Sequence, residues 1–198
     1  MDLSKAVDYA AAKNEPNERV HIVQADISHP AFRDGVFDLI YSTGVLHHLP
    51  DPAGGFQKLS KKVAPGGKIA AWVYGLQGMN PSCRLSHLTF LGGLGPRLPR
   101  SVSLSVSWGL ATVAEVASRL TGRGRLPGVR RWVPEQLRDF ALLPFRLKAK
   151  EFYNRIAAPV TYFLDREKLR GWILSAGLTE VDISPTKGRG WCARALRT

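Results

Sequence analysis

Apolar residues in the first third of the chain alternate between short strand-like runs and helix-like spacing. Residues 19–27 (RVHIVQADI), 37–43 (FDLIYST) and 68–75 (KIAAWVYG) are rich in β-branched or aromatic residues, which is typical of buried strands. Between the last two runs, Phe56 and Leu59 recur at near-helical spacing. Strands separated by helices predict a parallel sheet in an α/β fold.

Polar residues and glycines predict where the helices and turns lie. Ser4 can cap a short first helix, and Asp51, followed by a proline, is an N-cap signal for the helix of the FQKL stretch. Asp165 can cap a later helix, which Gly177 would end. The APGGK stretch, residues 64–68, predicts a tight turn into the third strand.

The middle and the end of the chain predict different structures. Residues 76–158 break the alternation and predict an inserted, mostly helical segment around a helix at residues 103–120, flanked by the turn-rich stretches GLGPRLPR and TGRGRLPGVRRWVPE. The alternation then returns. Residues 178–184 and 190–196, joined by PTKGRG, predict an antiparallel hairpin at a sheet edge.

Net charge is +12 and is unevenly placed. Residues 1–75 carry 8 Lys and Arg against 8 Asp and Glu, whereas residues 76–150 carry 12 against 3. An acidic partner is therefore expected at the middle segment. The first interpretation is a solvated lid over an acidic or lipid-like substrate.

Two other partners are weighed for the basic segment. Nucleic acid would use Arg130 and Arg131 for phosphate contact and Trp132 for stacking. No RNA-binding motif appears, and nucleic acid ranks last. A peripheral membrane contact would use an apolar group beside two arginines: Leu104, Val106, Trp108 and Leu110, with Arg97 and Arg100. The first three of these apolar residues alternate with serines, which breaks the amphipathic pattern of a helix.

Cysteine content and the absence of a leader pattern predict a cytoplasmic protein. Cys83 and Cys192 lie far apart and form no CxxC, so no disulfide framework is expected. No charged stretch followed by an apolar run and a cleavage site opens the chain.

Small and polar residues follow two of the predicted strands. Asp26 ends the first, and Ser42, Thr43 and Gly44 end the second. Ligands of open α/β sheets bind outside the carboxyl ends of the strands, so these residues predict one crevice. Asp26 could accept a hydrogen bond from an exocyclic amine, Ile27 offers an apolar face to a purine, and the glycine permits close approach of a ligand.

The stretches QADI, FDLIYSTGVLHHLPDP and APGGKIAAWVYG resemble motifs of class I S-adenosylmethionine-dependent methyltransferases that act on small molecules. The ending, REKLRGWILSAGLTEVDIS followed by GWCARAL, is similar to the last helix and hairpin of that family. The resemblance implies a Rossmann-like sheet with three parts. Residues 1–75 would be a partial cofactor-binding core, residues 76–158 the helical basic cap, and residues 159–198 the helix and β-hairpin that complete the sheet.

The resemblance also implies roles for individual residues, with S-adenosylmethionine as the cofactor. Asp2 would bind the ribose hydroxyls, and Asp26 the adenine amino group, with Ile27 against the ring. Thr43 and Gly44 would line the methionine end.

On the substrate side, the resemblance implies that His47 faces the transferred methyl group. As a general base, His47 is useful only if the acceptor must lose a proton. Tyr74 could reach the substrate. No metal is expected, because adjacent histidines such as His47 and His48 do not converge on one ion and no third ligand is suitably spaced.

One departure from the family pattern concerns the start of the chain. The family's glycine-rich loop precedes the ribose acid, but here only Met1 precedes Asp2. A chain truncated there would lack the first strand, the glycine loop and most of the second strand, and the open strand edge leaves self-association an open alternative. The function implied is methyl transfer to an oxygen, nitrogen or carbon of a small molecule. Two alternatives stay open: a truncated, non-catalytic remnant that binds a partner or an anionic surface, and a misassigned start.

Overall fold

A computed structural model describes residues 1–14, 17–76, 97–122, 142–157, 160–186 and 190–198. The chain divides into two compact units: the sheet unit, Met1–Gln77 with Tyr162–Thr198, and the helical unit, Gly78–Thr161. Predictions made for Cys83, Arg130, Arg131 and Trp132 lie outside the described residues.

Five helices, four strands and one 3-10 turn follow each other in the described residues. In chain order they are α1 (Ala6–Asn14), β1 (Phe37–Thr43), the 3-10 turn (Leu46–His48), α2 (Pro52–Lys62), β2 (Val63–Tyr74), α3 (Arg100–Gly122), α4 (Phe145–Ala157), α5 (Arg166–Ser175), β3 (Leu178–Thr186) and β4 (Gly190–Arg197). The strands form one sheet in the order β1-β2-β4-β3. β1 and β2 are parallel, while β4 is antiparallel to both of its neighbours. The predicted α/β class and terminal hairpin are confirmed.

Helix ends lie where the polar residues predict them. The Asp51 side chain accepts a hydrogen bond from Gly54 N at 2.9 Å, and Asp165 Oδ1 accepts one from Lys168 N at 2.6 Å. Gly177 follows α5 with a φ of 72°, a left-handed conformation that favours glycine. These contacts satisfy helix-end donors that would otherwise lack partners.

Two strand predictions are wrong in extent. Residues 19–27 form no extended ladder; one bridge joins Gln24 to Asp2. An extended run becomes a ladder only where a partner strand accompanies it, and here the partner contributes a single residue. β2, in turn, begins at Val63 rather than after the APGG turn, and its pairing with β1 shifts register between Phe37 and Leu39, so the predicted turn is a bulge inside the strand.

One face of the sheet carries the core. Ile69, Ala71 and Val73 alternate along β2 and are buried. Together with residues of α2, α5, β3 and β4 they form one apolar cluster, which includes Phe56, Leu59, Leu169, Ile173, Ile183 and Ala193. The period of two along the strand and the helical spacing of α2 and α5 thus converge on the same layer.

The helical unit contains α3 and α4, which pack against each other. α3 includes the helix predicted at residues 103–120 and extends it at both ends. Ser103, Ser107 and Ala111 are its most buried described side chains. Among the described residues, no helix is long and apolar enough to cross a membrane. The cytoplasmic location stays a prediction.

Candidate functional site

A cavity of about 980 Å³ lies in the sheet unit. Three separate stretches line it: the first residues of the chain, the segment around residues 21–27, and β1 with the turn that follows it. Its volume is at the upper end of the range typical of small-molecule pockets. Four of the predicted cofactor residues line it, namely Asp2, Asp26, Ile27 and Thr43.

Asp2 is tied to the start of α1. Its Oδ1 accepts hydrogen bonds from both the backbone N and the Oγ of Ser4, each at 2.7 Å. The bond from the Ser4 hydroxyl, followed by the one from its backbone N, holds the pKa of Asp2 below its usual value. The carboxylate is therefore ionised at neutral pH and held in one place at the cavity wall.

Asp26 is held in the same way by the turn that follows it. Its Oδ1 accepts a hydrogen bond from Ser28 N at 2.8 Å, and its Oδ2 lies 3.9 Å from His29 Nδ1. The bond from the Ser28 backbone is the largest cause of the lowered pKa of Asp26. A second fixed carboxylate thus lines the cavity, on a different stretch of chain from Asp2.

The end of β1 brings Ser42 and Thr43 to the same cavity, whereas the predicted cofactor residue Gly44 is not among the described residues that line it. Gly44 has a φ of 76°, and its N donates to Trp72 O at 3.1 Å, which turns the chain at the end of the strand. The left-handed backbone, rather than lack of space, explains this glycine, since an added Cβ would lie 3.8 Å from the Trp72 ring. Ser42 lines the cavity, is buried, and its Oγ has no hydrogen-bond partner in the described part of the chain.

The two predicted substrate-side residues lie together in an aromatic cluster. His47 is fully buried, and its ring centroid is 4.1 Å from that of Tyr74 and 6.0 Å from that of Trp72. His48 is among the described residues that line the cavity, but His47 and Tyr74 are not. The 3-10 turn directs the two adjacent imidazoles differently.

Burial keeps His47 neutral. Loss of solvation, with a smaller effect from the charge of His48, lowers its pKa to about 3. Neither His47 ring nitrogen has a hydrogen-bond partner among the described residues, while its carbonyl accepts a bond from Tyr162 N at 2.8 Å. The neutral imidazole is therefore a weak base, but its unpaired ring nitrogens are available to form a hydrogen bond with a group that reaches them.

His48 was not predicted as a site residue, whereas Ser42 was predicted at the crevice as one of the strand-end residues. A signal for Ser42 exists in the sequence: it stands where the inward positions of β1 continue from Ile40. In the described residues, no three His, Cys, Asp or Glu side chains are grouped closely enough to hold a metal ion.

Known proteins match the chain in sequence and in fold. Residues 1–71 match a family model described as a methyltransferase domain. An uncharacterized protein of Synechococcus sp. is 31% identical over 170 residues, which cover 84% of this chain and 37% of that protein.

Among solved structures, an O-methyltransferase family protein of Burkholderia thailandensis has a TM-score of 0.53 at 15% identity, over 100% of this chain and 42% of that chain. An S-adenosylmethionine-dependent methyltransferase of Thermotoga maritima is described as a possible histamine N-methyltransferase. It has a TM-score of 0.51 at 10% identity, over 99% of this chain and 71% of that chain. The CMeT domain of citrinin polyketide synthase has a TM-score of 0.54 at 10% identity, over 100% of this chain and 38% of that chain. At these identities the likeness is one of fold.

The chain spans 37% of the length of its Synechococcus relative. The family model covers the stretch that contributes Asp2, Asp26, Ile27 and Thr43 to the cavity, and the sheet has the fold of solved methyltransferases. Residues 1–71 therefore match a methyltransferase domain, and the chain has the fold of solved S-adenosylmethionine-dependent methyltransferases.

Proposed function

We propose that the sheet unit binds S-adenosylmethionine in the 980 Å³ cavity and supports methyl transfer to a small-molecule acceptor. The observation that carries the proposal is the convergence of Asp2, Asp26 and Thr43, from three stretches of chain, on one cavity. When bound, the cofactor would supply a methyl group on a positively charged sulfur: an acceptor lone pair would bond to the methyl carbon while the carbon–sulfur bond breaks and its electron pair leaves with the sulfur.

The residues present fit a nucleoside with an amino-acid tail. Asp2 and Asp26 each keep one oxygen engaged by a serine, so the carboxylates are already oriented to accept hydrogen bonds from hydroxyl or amino groups. Ile27 supplies apolar surface for a purine ring. The unpartnered hydroxyl of Ser42 gains a partner when a polar ligand enters, which removes the cost of an unpaired buried group.

His47 and Tyr74 are proposed on the acceptor side of the site. Because His47 is neutral, a ring nitrogen can accept a hydrogen bond from an acceptor hydroxyl or amine, and it acts as a general base only if the bound substrate raises its low pKa toward neutrality. An acceptor that reacts without losing a proton would need His47 only as apolar surface. The pH dependence of turnover then separates the two roles.

The acceptor is proposed to be acidic or lipid-like. Residues 76–150, with 12 basic and 3 acidic side chains, would attract a negatively charged molecule. The solved neighbours are described as O-, N- and C-methyltransferases, so the shared fold does not select the acceptor atom.

Calorimetry with S-adenosylhomocysteine tests cofactor binding on the intact chain. We expect micromolar binding, weakened about tenfold or more by Asp26→Asn, because a hydrogen bond to a charged group is replaced by one to a neutral amide. Asp8→Asn is the matched control, since Asp8 is an exposed acid of α1 that is not a lining residue. Absence of heat and of a thermal shift would favour the non-catalytic remnant, whereas equal affinities of the two variants would exclude Asp26 as a cofactor contact.

A further inference from the structure

α3 presents the reverse of the usual distribution of side chains. Two of its three most buried described side chains, Ser103 and Ser107, are polar, and the third is Ala111; Ser107 Oγ donates to Ser103 O, which satisfies the hydroxyl inside the helix pair. Large apolar side chains point outward instead: Val106 and Val113 are 40% and 67% exposed. A helix normally buries its apolar stripe and exposes its polar one.

The outward apolar residues form a continuous stripe, the valine ridge: Val102, Val106, Val113 and Val116, with Gly109 at its middle. Successive positions are four and three residues apart, which keeps them on one side of the helix. Leu110, also exposed, widens the apolar surface on the same side of the helix, whereas Trp108 lies on the side that faces α4. Trp108 also packs edge-on against Phe145 of α4 at 5.3 Å, which fixes its ring.

The charge of the helical unit, to which the ridge belongs, selects the chemistry of a partner. Arg97 and Arg100 are exposed at the start of α3, and Arg146 and Lys150 are exposed on α4. They belong to the segment in which basic side chains outnumber acidic ones by 12 to 3. A second copy of this segment would bring like charges together, whereas an anionic surface would be attracted.

We propose that the valine ridge binds the surface of an anionic lipid bilayer. The valines and Leu110 would enter the boundary between headgroups and acyl chains, and the basic side chains of the unit would attract the lipid phosphates. The proposal is independent of cofactor binding, because it concerns the helical unit alone.

Flotation of the intact chain with vesicles tests the proposal. We expect binding to phosphatidylcholine–phosphatidylserine vesicles and little to pure phosphatidylcholine, with added salt weakening it. The double variant Val106→Gln, Val113→Gln should bind at least about tenfold more weakly, because two apolar side chains no longer enter the lipid. Glutamine suits an exposed helix position, so circular dichroism should remain unchanged.

The matched control carries the same substitutions on the sheet unit, at Val20 and Val36, which are 39% and 45% exposed. It should float like the unmodified chain. Three outcomes would overturn the proposal: no flotation with phosphatidylserine vesicles, equal flotation of the Val106/Val113 variant, or a dimer in light scattering that this variant converts to a monomer. The last would assign the ridge to a second copy of the chain.

Discussion

The two units differ in the side chains that they bury and expose. The sheet unit encloses large apolar groups such as Phe56, Leu169 and Ile173 between its sheet and its helices. In the helical unit, Ser103, Ser107 and the 1%-exposed Lys148 are buried along with Ala111 and Ile156, while the valines of the ridge are exposed. The first distribution stabilises a fold by removing apolar surface from water, and the second leaves apolar surface available for a partner.

The largest expected difference between the units is the response to removing an apolar side chain. Phe56→Ala in α2 should lower the free energy of unfolding by about 3 to 5 kcal/mol, because it leaves a cavity in the core. Val113→Ala on the exposed ridge should change it by less than about 0.5 kcal/mol. Urea unfolding followed by circular dichroism measures both.

Similar losses in the free energy of unfolding of the two variants would mean that the ridge is covered in the isolated chain, so the proposed difference between the two units would be wrong. A small loss for Phe56→Ala would instead show that the apolar cluster does not hold the sheet unit together.

A smaller difference is expected from acid, through His47. Its folded pKa of about 3 lies below the ordinary 6.5, so the unfolded chain binds the proton more readily between these values. Stability is therefore lost as pH falls from 6.5, by about 1.4 kcal/mol per pH unit, or about 2 kcal/mol by about pH 5. His47→Phe, which keeps a ring beside Tyr74, should abolish most of this loss.

Urea unfolding at neutral pH and at about pH 5 measures the effect. His29→Gln is the control, because the His29 side chain is 84% exposed and should contribute nothing comparable. If His47→Phe loses as much stability in acid as the unmodified chain, the imidazole is not buried as a neutral group.

Local sequence patterns predicted the parts of the fold that depend on near neighbours. The caps at Asp51 and Asp165 and the terminal hairpin are confirmed because each is decided within a few residues. Residues 19–27 have the composition of a strand, but whether a strand forms depends on a distant partner, and Asp2 provides one bridge. Composition carries no information on that partner.

The same distinction applies to the site and to α3. Strand-end residues such as Asp26 and Thr43 were predicted at one crevice from topology, and they line one cavity; their roles toward the cofactor stay predictions. Which of the adjacent His47 and His48 faces the cavity depends on the 3-10 turn. The serines of α3 were interpreted by their alternation, yet Ser103 and Ser107 are four residues apart and share the buried side of the helix.

The smallest expected effect distinguishes how the helical unit is held together. Lys148 Nζ donates to Glu115 Oε2 at 2.6 Å, and Arg119 Nε donates to Oε1 at 2.9 Å; the bond from Lys148 is the largest cause of the lowered pKa of Glu115. A carboxyl whose folded pKa is depressed stabilises the fold above its unfolded value of 4.5, and this stabilisation is lost as pH falls through the folded pKa.

Glu115→Gln should therefore speed amide exchange in α3 and α4 at neutral pH and lose its difference from the unmodified chain in strong acid. Adding Lys148→Met to Glu115→Gln removes the unpaired buried ammonium and should restore slow exchange. Exchange in the double variant as fast as in the single one would mean that the ion pair itself, rather than the burial of an unpaired charge, governs the stability of the helix pair.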